Sequence, residues 1–296
     1  MSMDKIIGSE HRASKDDVSL FLWRKRGQDG LGSGWPPVVL VHGSSMSALP
    51  TFDLSVPNHP DYSMMDWLAR RGHDVWTLDH EGYGRSTITG GNSDVACGVA
   101  DLEAATDLIR DVTGTRSVSI YGLSSGALRA AGFAQAFPDR VERLVLDAFV
   151  WTGKGAPTLA KRREGVATFR AQNRRPIDLA FIEGIFLRDK PGTTAPEVAR
   201  ACAEAQMSLG NSVPTGTYLD MTTRLPLANP ERILAPTLIV RGEHDGIATL
   251  DDIVAFFQRL PTGDKRIAVL PDVAHCTPLG IMRHRMWTAM AEFIEI

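Results

Sequence analysis

Residues 117–131 read SVSIYGLSSGALRAA, and this stretch decides the fold. It begins as the apolar run typical of a buried strand and ends as a helix-prone run, with Gly122 and Gly126 on either side of Ser124. A serine on so sharp a strand-to-helix turn takes a strained backbone conformation, and the positions two residues away tolerate only glycine. The pattern predicts that Ser124 is a nucleophile, and that the positive end of the following helix faces the oxyanion formed during the reaction.

Short apolar runs alternate with helical stretches along most of the chain. The runs predict strands at residues 18–23, 37–41, 74–78, 117–121, 141–146, 236–240 and 266–270, and a turn at residues 27–37. Helices are expected at about residues 62–71, 99–111, 127–137, 250–259 and 281–296. Continuous apolar runs are typical of strands that helices cover on both faces. The chain therefore predicts an α/β fold with a mainly parallel, doubly wound sheet.

The alternation stops between residues 150 and 229, where helices are expected at 158–170, 177–186 and 196–207. We interpret this segment as a helical lid inserted after the sixth main strand. The predicted units are thus a core of residues 1–149 and 230–296, with the lid at residues 150–229. The first half of the lid is basic and could steer an anionic substrate, although a solvated helix face is the favoured interpretation. Its cations are Lys154, Lys161, Arg162, Arg163, Arg170, Arg174 and Arg175.

Composition excludes several classes of function. The chain has 296 residues and a formal net charge of -3, so it lacks the basic excess of a nucleic-acid-binding protein. Its three cysteines, Cys97, Cys202 and Cys276, are far apart in sequence and predict neither a disulfide framework nor a zinc site. A signal peptide and a membrane-spanning run are both missing from the sequence pattern. We expect a cytoplasmic protein without a metal, a membrane or nucleic acid as partner; a homo-oligomer remains open.

A serine nucleophile needs a base, and the base needs an acid that orients it. Asp245 and His275 each follow a predicted strand, which places both on loops at the carboxyl edge of the sheet. The order Ser124, Asp245, His275 is the serine, acid, histidine order of an α/β-hydrolase. The sequence therefore predicts these three residues as the catalytic triad.

Each of these assignments has a rival. Asp147 also follows a strand next to the turn at Ser124 and could supply the acid, although Asp245 is favoured. His42, His80 and His244 lie near strand ends as well. For these three histidines we favour structural roles in hydrogen-bonded loops.

The loop at residues 42–45 follows a predicted strand and can present backbone N–H groups to a substrate carbonyl oxygen. We predict that the N–H groups of Ser44 and Ser125 form the oxyanion hole, with Ser45 as the second choice in this loop. The Ser125 hydroxyl is interpreted as incidental. Removing one such donor typically costs about 100-fold to 1000-fold in turnover.

The chain resembles the α/β-hydrolase superfamily. The resemblance rests on His42-Gly43 after a strand, on residues 79–86, on the turn at Ser124, on residues 242–245 and on His275. It covers nearly the whole chain except the lid, and it implies an eight-stranded, mainly parallel sheet. It also implies an acyl-enzyme mechanism that usually needs no cofactor. The resemblance implies no particular substrate.

The predicted function is hydrolysis of a carboxylic ester or lactone, with a small molecule as the substrate. Ser45, Trp151, Phe181, Phe186 and Met207 are candidates for the walls of the substrate pocket. An interpretation of the lid residues as packing contacts carries equal weight. Two alternatives stay open: a carbon–carbon bond hydrolase that acts on diketone-type substrates, and a non-catalytic ligand-binding protein of the same fold.

Overall fold

A computed structural model describes residues 5–28 and 34–296 of the chain. Part of the turn predicted at residues 27–37 therefore lies outside the described residues. The described part contains ten strands: β1 (Ile6–Lys15), β2 (Val18–Gly27), β3 (Val38–Val41), β4 (Val75–Leu78), β5 (Val118–Leu123), β6 (Val141–Asp147), β7 (Arg174–Pro176), β8 (Ser212–Pro214), β9 (Thr237–Gly242) and β10 (Lys265–Leu270). Eight of them form one sheet, and β7 and β8 form a separate pair.

The main sheet has the strand order β1-β2-β4-β3-β5-β6-β9-β10. β2 pairs antiparallel with both β1 and β4. Every other pair in this sheet is parallel. All residues of β3, β4 and β5 are buried, as their continuous apolar runs predict. The predicted mainly parallel sheet is thus confirmed.

Helices cover both faces of the sheet. The α-helices of the described residues are α1 (Ala48–Phe52), α2 (Met64–Arg70), α3 (Val95–Thr113), α4 (Ser125–Ala136), α5 (Pro157–Arg163), α6 (Val166–Ala171), α7 (Leu179–Leu187), α8 (Pro196–Met207), α9 (Gly216–Thr223), α10 (Leu250–Arg259) and α11 (Arg283–Ile294). Val38 and Leu40 pack with α2 and α11, whereas Val39 and Val41 pack with α3, α4 and α10 on the opposite face. This alternation confirms the doubly wound arrangement. None of these helices is long and apolar enough to cross a membrane.

β1 is an element that the sequence pattern does not predict. Only Ala13 in this strand is fully buried, because β1 lies at the edge of the sheet and most of its side chains stay in contact with solvent. Its place depends on its ten-residue pairing with β2 instead. An edge strand of this kind carries no hydrophobic periodicity that a sequence analysis could detect.

The segment between β6 and β9 contains α5 to α9 together with β7 and β8. α8 has the predicted bounds, whereas the helix expected at residues 158–170 is two helices, with Glu164 and Gly165 between them. α9 and the β7–β8 pair are not predicted. Tyr218 and Met221 of α9 belong to the core cluster under the sheet, so this helix packs on the body of the protein. The division at residues 150 and 229 stays a prediction.

Candidate active site

Ser124 occupies a strained turn between β5 and α4. Its φ of 58° and ψ of -119° lie outside the regions that residues with a side chain commonly adopt. A Cβ added to Gly122 would lie 2.5 Å from the Gly126 carbonyl oxygen, and one added to Gly126 would lie 2.2 Å from the Val41 carbonyl oxygen. The structure therefore confirms the steric reason for both glycines, and the turn presents the serine at the carboxyl edge of the sheet.

His275 and Asp245 lie on the loops that follow β10 and β9, and both side chains reach toward Ser124. His275 Nε2 is 3.1 Å from Ser124 Oγ, and His275 Nδ1 is 3.0 Å from Asp245 Oδ1. The Ile247 backbone N–H donates to the same Asp245 oxygen at 2.8 Å. The structure thus brings the three predicted triad residues together, joined by two consecutive hydrogen bonds.

The environment of the triad favours the ionised form of the Asp245 carboxyl. All three side chains are buried. Burial alone would raise the pKa of the Asp245 carboxyl, but the facing His275 imidazole, its hydrogen bond and the Ile247 N–H outweigh burial and hold that pKa below its ordinary value. A carboxylate in this position can orient the imidazole and stabilise its protonated form.

Asp147, the rival acid, has a different environment. Its carboxyl accepts hydrogen bonds from the Tyr121 hydroxyl, at 2.6 Å, and from the Thr277 hydroxyl. Its backbone carbonyl accepts the Ser124 N–H at 2.8 Å. The side chain is completely buried, and burial raises its pKa to about 7. Asp147 therefore lies beneath the serine and binds the strand and the histidine loop, while Asp245 holds the position next to His275.

The other histidines have structural partners, as their sequence context predicts. His42 Nδ1 is 2.7 Å from the Gly43 carbonyl oxygen, and His42 Nε2 accepts the His80 backbone N–H at 3.2 Å. His80 Nδ1 is 3.0 Å from Asp101 Oδ2. His244 is half-buried and lies beside Glu243. These contacts tie down the loops after β3, β4 and β9.

The predicted oxyanion loop is joined to the start of α4 by hydroxyl groups. Ser44 Oγ donates to Ser125 Oγ at 2.7 Å, and Thr217 Oγ1 donates to Ser44 Oγ at 2.9 Å. The interpretation of the Ser125 hydroxyl as incidental is therefore wrong, because it accepts the bond that holds the two segments together. Thr217 was missed, since it lies on the unpredicted helix α9.

Two cavities meet at the site. A chamber of about 30 Å³, roughly the volume of one water molecule in the liquid, lies over Ser124 and His275 and is also lined by Gly43, Ser44 and Ser45. A cleft of about 1220 Å³ lies under the lid. Arg162, Ile185 and Arg188 line both cavities, so these lid side chains separate the reacting serine from the space in which a substrate could bind.

A family model described as "Serine aminopeptidase, S33" matches residues 61–279. The chain belongs to this family of α/β-hydrolases.

Curated relatives of this α/β-hydrolase include two enzymes with closely similar names. One, from Pseudomonas putida, is named 2-hydroxy-6-oxononadienedioate/2-hydroxy-6-oxononatrienedioate hydrolase 2; it is 28% identical over 252 residues, which are 80% of this chain and 81% of the relative. A second, from Paraburkholderia phymatum, is named 2-hydroxy-6-oxononadienedioate/2-hydroxy-6-oxononatrienedioate hydrolase and is 26% identical over 250 residues, 79% of each chain.

Solved structures with the same fold include an esterase from Thermogutta terrifontis. Its TM-score is 0.71 at 20% identity, with 97% of this chain and 98% of that chain covered. An enol-lactonase from Burkholderia xenovorans has a TM-score of 0.69 at 17% identity, with 97% and 100% covered. At these identities the similarity shows the fold alone.

The residues that the sequence proposes as pocket walls have different positions in this hydrolase. Phe181 lines the large cleft, and Ser45 lines the chamber. Phe186 is buried in the cluster formed by α7, α8 and the segment after β3, and Met207 packs against that cluster. The Trp151 ring lies against Phe256 of the core. Trp151, Phe186 and Met207 lie outside the linings of these two cavities, so their contact with substrate stays a prediction beside the packing interpretation.

Among residues 5–28 and 34–296, three groups of side chains have the composition of a metal site. In one, the Lys15 ammonium group donates to Glu81 and Asp101, so a protein cation already compensates these carboxylates. In the second, Arg188 binds Asp189 through two hydrogen bonds of 2.8 Å beside Asp245 and His275. The third group consists of partly exposed loop residues after β9 and β10. The expectation of no metal stays a prediction.

Proposed function

We propose that this α/β-hydrolase cleaves a carboxylic ester or lactone through an acyl-enzyme intermediate. Ser124 Oγ attacks the carbonyl carbon while His275 Nε2 takes the hydroxyl proton, and Asp245 stabilises the resulting imidazolium. The N–H groups of Ser44 and Ser125 hold the oxyanion of the tetrahedral intermediate. Collapse of this intermediate breaks the bond between the carbonyl carbon and the alcohol oxygen, which receives its proton from His275.

The second half of the reaction uses the same groups with water as the nucleophile. His275 takes a proton from water, the hydroxide attacks the acyl carbon, and Ser124 leaves with the proton that His275 returns. The products are a carboxylic acid and an alcohol. In a lactone these two groups remain on one molecule, so the protein chemistry is identical.

The observation that carries this proposal is the continuous pair of hydrogen bonds that links Asp245 through His275 to Ser124. Its distances of 3.0 and 3.1 Å lie within the range that proton transfer requires. The strained φ of Ser124 supports the same role, because strain of this kind persists only where the surrounding structure maintains it. Ester hydrolysis needs no further group than this triad and two oxyanion donors.

Carbon–carbon bond hydrolysis is the second candidate, and the names of the curated relatives favour it. In such a reaction Ser124 would attack a ketone carbonyl, and the leaving group would be an enolate that is protonated on carbon. His275 could supply this proton after taking it from Ser124. The same three residues would therefore serve both reactions, and the substrate decides between them.

The test is a panel of 4-nitrophenyl esters of graded acyl length, several lactones and a 2-hydroxy-6-oxo dienoic acid, each assayed with wild type, Ser124→Ala and His275→Ala. We expect the wild type to cleave esters or lactones, and each variant to lose roughly a million-fold in turnover. Ser117→Ala is the matched control, because Ser117 directly precedes β5, at the end of that strand opposite to Ser124, and its hydroxyl donates to Glu142. It should retain full activity.

The panel also separates the alternatives. Turnover of the dienoic acid without turnover of any ester or lactone would replace the proposal by the carbon–carbon reaction. Binding of panel compounds without turnover would contradict both reactions and favour a ligand-binding protein. Activity that survives in Ser124→Ala would show that the assigned nucleophile is wrong.

A further inference from the structure

Two arginines of the lid pack against the same tyrosine ring, and neither forms an ion pair with an acidic side chain among the described residues. The guanidinium carbons of Arg162, on α5, and Arg175, on β7, each lie 4.1 Å from the ring centre of Tyr218 on α9. In the described part of the chain, the ion pairs of 4.0 Å or less involve neither arginine, although many other arginines are paired. Cations in partly or fully buried positions are normally paired with an acid.

Arg175 is held rigidly against the oxyanion loop. It is 6% exposed, and its Nη2 donates to Ser45 Oγ at 2.8 Å and to the Ser44 carbonyl oxygen at 3.2 Å. Its Nε is buried and has no hydrogen-bond partner among the described residues. The positive charge therefore lies beside the reacting centre with one of its donors unused, which is costly unless an anion approaches.

Tyr218 lies in the electric field of the same two guanidinium groups. Its hydroxyl is 3.3 Å from Ser45 Oγ, and the side chain is nearly buried. Burial alone would raise the pKa of this phenol, but the guanidinium groups of Arg162 and Arg175 outweigh burial and lower the pKa to about 8. The field at this point favours negative charge.

Arg162 is the member of this group that faces the substrate space. It lines both the chamber over Ser124 and the large cleft. Its one side-chain hydrogen bond in the described structure is a weak contact of 4.0 Å with Met221 Sδ. Arg188 lines the same two cavities but is neutralised by its two hydrogen bonds with Asp189. Arg162 thus has a guanidinium fork available for a ligand.

We propose that Arg162, supported by Arg175 and Tyr218, binds a second, ionised carboxylate of the substrate, so that the enzyme prefers esters whose acyl chain ends in a free carboxylate. The planar guanidinium fits a carboxylate through two parallel N–H···O bonds. This inference rests on the proposed ester hydrolysis and adds the class of substrate to it. Of the lid cations for which a solvated helix face was favoured from sequence, Arg175 is buried and Arg162 and Arg174 are half-buried, whereas Lys154, Lys161, Arg163 and Arg170 are exposed as expected.

The test compares two esters that differ only in this charge: 4-nitrophenyl hydrogen adipate and its methyl ester. Each is assayed with wild type, Arg162→Met, which keeps the length and apolar surface of the side chain, and Arg162→Lys. We expect wild type to prefer the acid over its methyl ester in kcat/KM. Arg162→Met should lower kcat/KM for the acid by about 10-fold to 100-fold and change the methyl ester less than about threefold. Arg162→Lys should retain part of the preference.

Arg163→Met is the matched control, because Arg163 is exposed on the same helix. It should leave the ratio of the two esters unchanged. An equal loss of activity on both esters in Arg162→Met, with no rescue by lysine, would indicate a packing role only and overturn the inference. An unchanged ratio in Arg162→Met would overturn it as well, while the hydrolysis of both esters would leave the proposed function intact.

A calorimetric titration keeps the inference testable without turnover. Adipate is titrated into Ser124→Ala and into Ser124→Ala combined with Arg162→Met. We expect binding to the first protein and at least about tenfold weaker binding to the second. This result in a protein that cleaves no ester would support the carboxylate site while contradicting the proposed function. Equal affinity of the two proteins, or the absence of binding to both, would overturn the carboxylate site.

Discussion

The carboxyl edge of the sheet and the lid both line the chamber over Ser124. They differ in how their residues are positioned there. Ser124, Asp245 and His275 each follow a parallel strand of the main sheet within a few residues, and hydrogen bonds of 3.0 and 3.1 Å join them. Arg162 and Arg175 lie on short lid elements, and both contact Tyr218 of a third element. The comparison teaches that the reacting groups are encoded locally, next to strand ends, while the groups proposed to select the substrate depend on how the lid packs.

The largest predicted effect on activity comes from the two residues that exchange the proton, and it tests the catalytic side of this comparison. Ser124→Ala and His275→Ala should each remove about a million-fold of turnover, and the double variant should lose no more than either single variant, because the residues act as one unit. Steady-state kinetics of the three variants on one ester measures this. Losses that multiply in the double variant would contradict a shared proton transfer.

The next effect separates the two acids beneath the site. Asp245→Asn should lower turnover by about 10,000-fold, since an amide cannot stabilise the imidazolium or hold the correct tautomer. Asp147→Asn should lower it by less than about tenfold, because the amide oxygen can still accept from Tyr121 and Thr277. Kinetic constants of both variants near neutral pH provide the measurement. A reversed order of the two losses would transfer the role of acid to Asp147.

A smaller effect tests the turn itself. Gly126→Ala should lower the free energy of unfolding by roughly 1–3 kcal/mol, because the new Cβ would lie 2.2 Å from the Val41 carbonyl oxygen. Gly263→Ala is the control, since no heavy atom lies within 4 Å of its added Cβ. Urea unfolding of both variants compares them. Equal stabilities would mean that the strand-to-helix turn is looser than described.

The smallest predicted effect is the pH dependence of stability. Burial raises the pKa of Asp147 to about 7, whereas an unfolded aspartate titrates near 3.9. The folded state therefore binds this proton more tightly, and the stability it contributes is present below about pH 4 and lost as the pH rises through about 7. The Tm of Asp147→Asn minus the Tm of wild type is the quantity to compare. It should be a few degrees higher at pH 8 than at pH 4.5. Thermal unfolding of both proteins that shows the same difference at the two pH values would contradict the buried, protonated carboxyl.

Much of the sheet could be predicted from sequence because buried parallel strands leave continuous apolar runs. The same runs located the triad, since each catalytic candidate follows one of them. The elements that were missed lack this signal: β1 is an exposed edge strand, and α9 is a short helix whose place depends on packing against the core. Thr217 and Tyr218 were missed with it.

The lid shows a second limit of prediction from the sequence. Composition correctly indicated that its first half is basic, but periodicity over short helices could not tell which cations turn inward. Arg162 faces the cavities while its neighbour Arg163 is exposed, and only the tertiary structure distinguishes them. Aromatic character was equally ambiguous, since Phe181 lines the cleft and Phe186 packs inside the lid.

The most direct test of the central claim is covalent labelling of the nucleophile. The protein is treated with an alkyl fluorophosphonate, and intact mass and peptide mapping locate the adduct. We predict one adduct per chain on the peptide that contains Ser124, none in Ser124→Ala, and much slower labelling in His275→Ala. An adduct on another residue, or labelling of Ser124→Ala at the rate of wild type, would contradict the assignment of Ser124 as the nucleophile of this hydrolase.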